Sequence, residues 1–369
     1  MEIYSTPSPG GTAGQPQGPV KLRHSLGRVR RPILFEDLTR EIFPGTSKEW
    51  VQAAKTDQPE HNSNRPPQSI IVDRGAGTSL ALKSLVSGGS FGQIFMYTRG
   101  DARVALKIMR SDSKCLDTED LFRSNSAIGR SFSQYLLYQK CIEFAGNDHT
   151  TVLMEMCMGD LNYLLPILEN DDNALKSLRQ YGMDTWSLKL DILLKTLGAV
   201  FCLYERGYSY LDLKAANVLY NIEACKTGSA PYCIVPKLAD LDGVCSVESA
   251  ITTFPPPEMW QGENGMCDDK KLSWAVVLFV VQIMLLEKGR KLVTMGLWHK
   301  NVVGKGKDAV KLTDEIKMVL QGELKGFDPG DLDELKGGLD PNPKTRTKIE
   351  VITRAILKYY ESRRRPTPP

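Results

Sequence analysis

The chain has no long apolar run, no apolar leader, no CxxC pair and almost no surplus of charge, and each gap removes a class of protein. Its longest apolar stretch, LSWAVVLFVVQIMLL at 272–286, is 15 residues, short of the roughly twenty that a bilayer span needs. That stretch is expected as a buried helix, and no membrane span is expected anywhere. The opening residues MEIYSTPSPG place Pro, Gly and polar side chains where a secretory signal carries its apolar core, so export is not expected. Eight cysteines are scattered, with no Cys/His spacing of a zinc site. All eight read as reduced, mostly buried thiols in an intracellular compartment, cytoplasm or nucleus. Lys and Arg outnumber Asp and Glu only by 47 to 44, which gives no direct evidence for a nucleic-acid partner. No internal repeat marks a solenoid.

What is present is the composition of an average globular protein, 41% hydrophobic and 25% charged. A length of 369 residues suits two domains, or one enzyme of two lobes around a cleft. Residues 1–66 are rich in Pro, Gly, Ser and Gln and carry a basic patch, RVRRP at 28–32. They are expected to be largely disordered, apart from a short helix over 33–43. From residue 69 the pattern turns to short β-rich runs, SIIVD, SLALKSLV, QIFMYTRG and ARVALKIM, divided by Gly and Asp. They predict an antiparallel sheet. From about residue 159 the apolar spacing lengthens to a helical period, most clearly over 187–207. The tail RRRPTPP at 363–369 again reads as unfolded.

Four short motifs could carry chemistry. In VSGGSFGQIF, 86–95, three glycines lie between two strand-like runs. Glycine lets backbone amides approach an anion closely, so such a hairpin can cover phosphates, although a plain hairpin has the same composition. Fifteen residues after Gly92, Lys107 stands in the apolar strand VALKIM, where it is either an exposed strand lysine or a phosphate contact. SYLDLKAANVLY, 209–220, sets Asp212, Lys214 and Asn217 in a turn after the long helix. A carboxylate that accepts a hydroxyl proton, a neighbouring cation and an amide oxygen for a metal are the parts phosphoryl transfer requires. PKLADLDGV puts Asp240 at the end of another apolar strand. Asn217 and Asp240 are hard oxygen donors of the kind Mg²⁺ takes. Asn and Asp also favour turns for local reasons, so it is the ordered set, not any one motif, that carries weight.

In order and spacing, these motifs resemble the protein kinase superfamily over residues 82–357. SGGSFGQI is similar to the kinase glycine-rich loop, VALK to the lysine strand, YLDLKAAN to the catalytic loop and ADLDG to the metal-binding DFG segment. PPPE at 255–258 is similar to the APE motif, VLMEMCMGDL at 152–161 to a hinge, and LDPNPKTRT at 339–347 to the late motif whose arginine pairs with the APE glutamate.

The resemblance implies an α+β, bilobal protein-kinase-like fold. A small β-rich N-lobe with the hinge (67–158) and a larger helical C-lobe (159–362) would hold ATP in the cleft between them. It implies Mg²⁺- and ATP-dependent phosphorylation of Ser or Thr in protein substrates, with Lys214 tilting the acceptor toward those hydroxyls. Lys107 would contact the α and β phosphates, Asp212 would orient or deprotonate the acceptor, and Lys214 would steady the γ phosphate. Asn217 and Asp240 would hold Mg²⁺. ATP would lie among Ser87, Gly88, Gly89, Ser90, Phe91, Gly92, Ile94, Ala105, Met154 as gatekeeper, Glu155, Met156, Cys157 and Leu219, with backbone groups of 155–157 on adenine. Glu258 and Arg346 would form a structural ion pair.

The chain departs from the family at several points. The first loop glycine is Ser87, the His-Arg before the catalytic Asp is Tyr210-Leu211, and DFG reads Asp240-Leu241-Asp242, which makes Asp242 a second candidate ligand. Without that arginine, activity is expected to need no activation-loop phosphate. The glutamate partner of Lys107 is not evident; Glu119 is the nearest candidate. Such drift is that of a divergent member, as a virus or parasite carries, and a viral enzyme would act in its host cell. It also leaves room for a pseudokinase that serves as a nucleotide-binding scaffold. A small-molecule kinase is disfavoured by Glu258 and Arg346, since those motifs support the segment that receives proteins.

Overall fold

The computed structural model describes residues 47–61, 65–74, 78–88, 92–109, 115–123, 126–146, 149–170, 184–224, 232–241, 244, 256–260, 268–297, 306–324 and 326–364. The helix expected over 33–43 lies outside them. Helix α1 (Ser47–Ala53) and strand β1 (Asp57–Gln58) come first, followed by β2 (Ser69–Ile71), β3 (Ser79–Gly88), β4 (Gly92–Arg99) and β5 (Ala102–Met109). Two short helices, α2 (Glu119–Phe122) and α3 (Ala127–Phe132), lead to β6 (Gln139–Phe144), β7 (Thr151–Glu155) and β8 (Gly159–Asp160). Then come α4 (Leu161–Asn170), α5 (Thr185–Tyr204), a 3₁₀ turn at Ala215–Asn217, β9 (Val218–Ala224) and β10 (Tyr232–Leu238). The remainder is helical: α6 (Pro257–Trp260), α7 (Asp269–Met284), α8 (Leu286–Leu297), α9 (Gly306–Glu323), α10 (Pro329–Gly337) and α11 (Ile349–Arg364).

Alternating apolar residues with Gly and Asp turns make β3, β4 and β5 an antiparallel meander, and Gly100 takes the positive φ of 58° that the β4–β5 turn demands. These strands belong to a seven-stranded sheet of order β1-β6-β7-β5-β4-β3-β2, in which only β1 and β6 run parallel. A second sheet, β10-β9-β8, is antiparallel. The two meet where Leu136 bridges Leu238 and the Leu137 amide donates to the Leu238 carbonyl at 2.9 Å.

Residues 47–58, which composition places in a disordered tail, form α1 and β1 instead. Val51 and Ala54 are buried with Ile70, Tyr97, Leu106 and Leu153 on one face of the larger sheet, and β1 pairs with β6. Few as they are, these apolar residues suffice because the sheet supplies the other half of the core. At the opposite end, α11 runs through Arg364, into the segment expected to be unfolded.

The helical half packs around α5 and α7. Every residue of α7 from Lys271 to Met284 is buried, as an all-round apolar helix requires. Asp268 caps its start by accepting from the Lys270 and Lys271 amides, both at 2.9 Å. The Lys189 ammonium of α5 donates to the Met284 carbonyl at 3.1 Å, where the helix dipole favours a cation. Among the described residues no helix is long and apolar enough to cross a membrane.

Three described cysteines do not fit the reading of all eight as thiols. Cys115 and Cys141 are joined by a disulfide across 26 residues of sequence, with Cα atoms 6.0 Å apart, and Cys233 is also disulfide-bonded. The linear separation hid the pairing, since the turn through α2 and α3 brings the first of these cysteines back beside β6. Cys157 and Cys202 are buried free thiols.

Candidate functional site

Five of the side chains singled out in the sequence converge where the two sheets meet. Lys107 lies on β5 between Ile94 of β4 and Val152 of β7, is buried, and reaches Asp240 Oδ1 at 2.5 Å. Asp240 follows β10 with a φ of 56°, a left-handed conformation that costs a non-glycine residue about 1–3 kcal/mol and persists only where surrounding structure holds it. Strain of this kind concentrates at functional sites.

The loop between α5 and β9 supplies the rest. Asp212 is buried, and its Oδ2 accepts from Lys214 Nζ at 2.6 Å and from Asn217 Nδ2 at 2.9 Å. A second bond from Asn217 Nδ2, to the Asp212 carbonyl at 2.9 Å, commits the amide nitrogen and leaves the side-chain oxygen as the acceptor or metal-ligating atom. The loop is anchored from three directions. Tyr210 Oη donates to the Ala239 carbonyl at 2.7 Å, the Ala239 amide donates to the Asn217 carbonyl at 2.8 Å, and the Ala215 amide donates to Gln282 Oε1 of α7 at 3.1 Å.

Beside these polar groups lies an apolar cluster distinct from both main cores. Ala105, Leu137, Val152, Met154, Met156, Cys157 and Ala239 are buried, with Val86, Ile94, Met96 and Leu219 half-buried against them. Ala105 and Met154 face each other across the β5–β7 pair, whereas Leu219 and Ala239 come from the smaller sheet and its exit. The amide and carbonyl of Cys157 take part in no backbone hydrogen bond among the described residues. The Glu155 amide is committed to the Tyr138 carbonyl at 2.9 Å. Burial, with the Glu155 carboxylate adding, pushes the Cys157 thiol well above its usual value.

Of the glycine-rich hairpin, Ser87 and Gly88 end β3, exposed, opposite Ile94 and Gln93. Gly92 opens β4 so close to the Ile108 carbonyl that a Cβ there would collide with it. Gly89, Ser90, Phe91 and Asp242 lie outside the described residues. Glu119 is not beside Lys107: it pairs with Arg123 one turn on. Helix α2 is only four residues long, too short to carry a glutamate to the strand.

The side-chain roles of three residues were not read from the sequence, although Tyr210 and Glu155 lie within quoted motifs. Tyr210 and Gln282 anchor the loop, and Glu155 acts through its side chain as well as its backbone. Its Oε1 accepts from the Tyr138 amide at 2.8 Å and lies 3.1 Å from Lys237 Nζ of β10, and that ammonium also donates to the Gln134 carbonyl at 2.8 Å. Burial disfavours the charge on Lys237, but Glu155 and then Cys157 outweigh it, so its pKa lies above the ordinary lysine value. A lysine three residues before Asp240, within a strand of apolar neighbours, is the one signal that could have pointed to it.

Farther away, Arg346 forks onto Glu258 through two bonds of 2.7 and 2.8 Å. The guanidinium is fully buried, its Nε donates to the Asp340 carbonyl at 2.8 Å, and it lies over Trp274.

No protein-family model and no curated protein matches the chain. The geometry brings together a buried ammonium from one sheet, two side chains with oxygen atoms from the loop and exit of the other, and an apolar cluster beside them.

Proposed function

We propose that the protein is a divergent Ser/Thr protein kinase, bilobal in the manner of that superfamily, which transfers the γ-phosphoryl group of ATP to a protein hydroxyl. The observation that carries this is the approach of Lys107 and Asp240 to 2.5 Å, from elements 133 residues apart, beside the Asp212–Lys214–Asn217 cluster. Burying a lysine and holding an aspartate in a strained conformation near a second carboxylate costs free energy, and such costs concentrate at functional sites.

The residues fit a magnesium nucleotide. Asn217 Oδ1 and the Asp240 carboxylate are hard oxygen donors, and Mg²⁺ needs only one or two carboxylates from the protein because phosphate and water complete its shell. When bound, Mg²⁺ neutralises charge on the β and γ phosphates. Adenine would lie against the apolar cluster that holds Ala105 and Leu219, with its hydrogen-bonding edge toward the Cys157 backbone groups. Lys107 turns from Asp240 to the α and β phosphates, a charge-assisted contact replacing an ion pair.

Asp212 accepts the proton of the acceptor hydroxyl as its oxygen bonds to the γ phosphorus, and the bond to the bridging oxygen breaks to leave ADP. Lys214, already 2.6 Å from Asp212, steadies the transferring group. Since Leu211 stands where a phosphate-binding arginine would be, activity should survive phosphatase treatment.

The test is transfer of label from ATP to a generic basic protein with Mg²⁺. Asp212→Asn should lower the rate by about 10²–10⁴-fold, and Asp240→Asn should abolish transfer while Asp242→Asn retains much of it. Nucleotide binding without transfer in the unaltered protein would instead make it a pseudokinase scaffold. No uptake of magnesium nucleotide at all would end both readings.

A further inference from the structure

We propose that Cys115 and Cys141 form a reversible redox site that governs how tightly the sheet face around Lys107 is closed. The inference goes beyond the phosphotransfer reading, since it concerns the lysine and its neighbours whatever ligand they serve.

In an antiparallel sheet, residues directly opposite one another carry their side chains on the same face. Ile94 of β4 pairs with Lys107 of β5, Lys107 with Val152 of β7, and Val152 with Cys141 of β6. These four side chains therefore form one row, and Cys141 stands two strand spacings, about 10 Å, from Lys107. The next row, Ala105, Met154 and Gln139, shares that face because it lies two residues along each strand. The apolar cluster gathers on this face: Ile94, Ala105, Val152 and Met154 belong to it, and Cys115 packs against it. The disulfide thus fastens the chain that follows β5 to the wall of the candidate site, on the same side of the sheet as Lys107.

Hydrogen bonds fix the chain on either side of this tie. The Met109 amide donates to the Thr150 carbonyl at 2.9 Å. Beyond the bond, Gln139 Nε2 donates to the Leu116 carbonyl at 2.7 Å and the Thr118 amide to the Gln139 carbonyl at 3.1 Å. Breaking the bond leaves Cys115 its packing against the cluster and returns the freedom that loop closure removed, so the wall loosens without the strands separating. Both cysteines are half-buried, within reach of a small thiol, and accessible disulfides are the labile ones. A thiol of the glutathione class supplies the electrons. Its attack on one sulfur breaks the Sγ–Sγ bond and forms a mixed disulfide, which a second thiol resolves. Cys115 and Cys141 each end with a proton, and two small thiols become one disulfide. Exchange with oxidised glutathione runs the same steps backwards. The free thiols Cys157 and Cys202 are buried, and burial raises both above the usual thiol value, which makes them poor competitors.

The experiment uses the full chain, oxidised with glutathione disulfide or reduced with dithiothreitol and then freed of either reagent. Each form is treated briefly with acetic anhydride, and acylation of Lys107 is followed by mass spectrometry alongside a melting curve. The Lys107 rate should rise about tenfold on reduction, the equivalent of releasing one ordered residue, and return on reoxidation. Because Cys233 is also disulfide-bonded, the Cys115→Ser/Cys141→Ser double variant assigns the effect: it should react at the fast rate in both treatments. A double variant that still responds to dithiothreitol overturns the proposal. So does a Lys107 rate that reduction leaves unchanged, even if the melting temperature falls, since the bond is then a structural cross-link only. Should the double variant not fold, Cys115→Ala alone replaces it and is judged by the same outcomes. If Lys107 responds but neither form binds a fluorescent ATP analogue with Mg²⁺, the phosphotransfer reading fails and the redox site stands.

Discussion

Arg346 and Glu258 show how much a single buried pair can govern. The guanidinium makes two parallel bonds to the carboxylate and is fully buried, so removing either partner strands a charge at a cost of about 3–5 kcal/mol. Arg346→Lys should cost nearly as much as Arg346→Ala, because an ammonium cannot reproduce the planar fork. Denaturant titration of the two variants checks this, and a lysine variant as stable as the unaltered protein would show that charge alone suffices. The arginine was legible in the sequence only through the kinase resemblance, since nothing in LDPNPKTRT itself says which residue 88 positions away it meets.

At the scale of elements, α1 is the instructive case. Its stretch SKEWVQA offers too few apolar residues to form a helix alone in water, and flanking Pro and Gln point to disorder. The larger sheet overrides that local preference by covering Val51, which has no accessible surface. Val51→Ala should lower stability by about 2 kcal/mol, whereas Gln52→Ala, on the exposed side, should change it little; melting curves of the two decide. By contrast, β3 to β5, α5 and α7 were legible at once. Their periods of 2 and 3.6 are strong, and each is bounded by a turn or cap written in neighbouring residues, such as Asp184 for α5 and Asp268 for α7.

The whole molecule is joined at the seam between its sheets, where Glu155 of β7 meets Lys237 of β10 with both side chains over nine-tenths buried. Glu155→Gln or Lys237→Met alone should destabilise by about 3–5 kcal/mol, and the double variant should recover most of that loss. The pH dependence has a definite sign. A lysine whose folded-state pKa lies above the ordinary value of 10.5 contributes stability in full below that pH and loses it as pH rises through the folded-state value. The melting temperature of the unaltered protein, measured against the double variant, should therefore be steady to about pH 10.5 and fall above it. A difference that fell instead between pH 5 and 8 would point to another group.

By itself the sequence determined the alternation of strands and helices and the identity of the polar residues on which the proposed function rests, because both are local: a period and a side-chain chemistry are complete within a few positions. Tertiary structure alone decided which partners those residues have. Lys107 faces Asp240 and not Glu119, Tyr210 clamps Ala239, Cys115 joins Cys141, and Lys237 neutralises Glu155. Each pairing closes a loop of chain, and which loops close is set by how whole sheets and helices bury their apolar faces together.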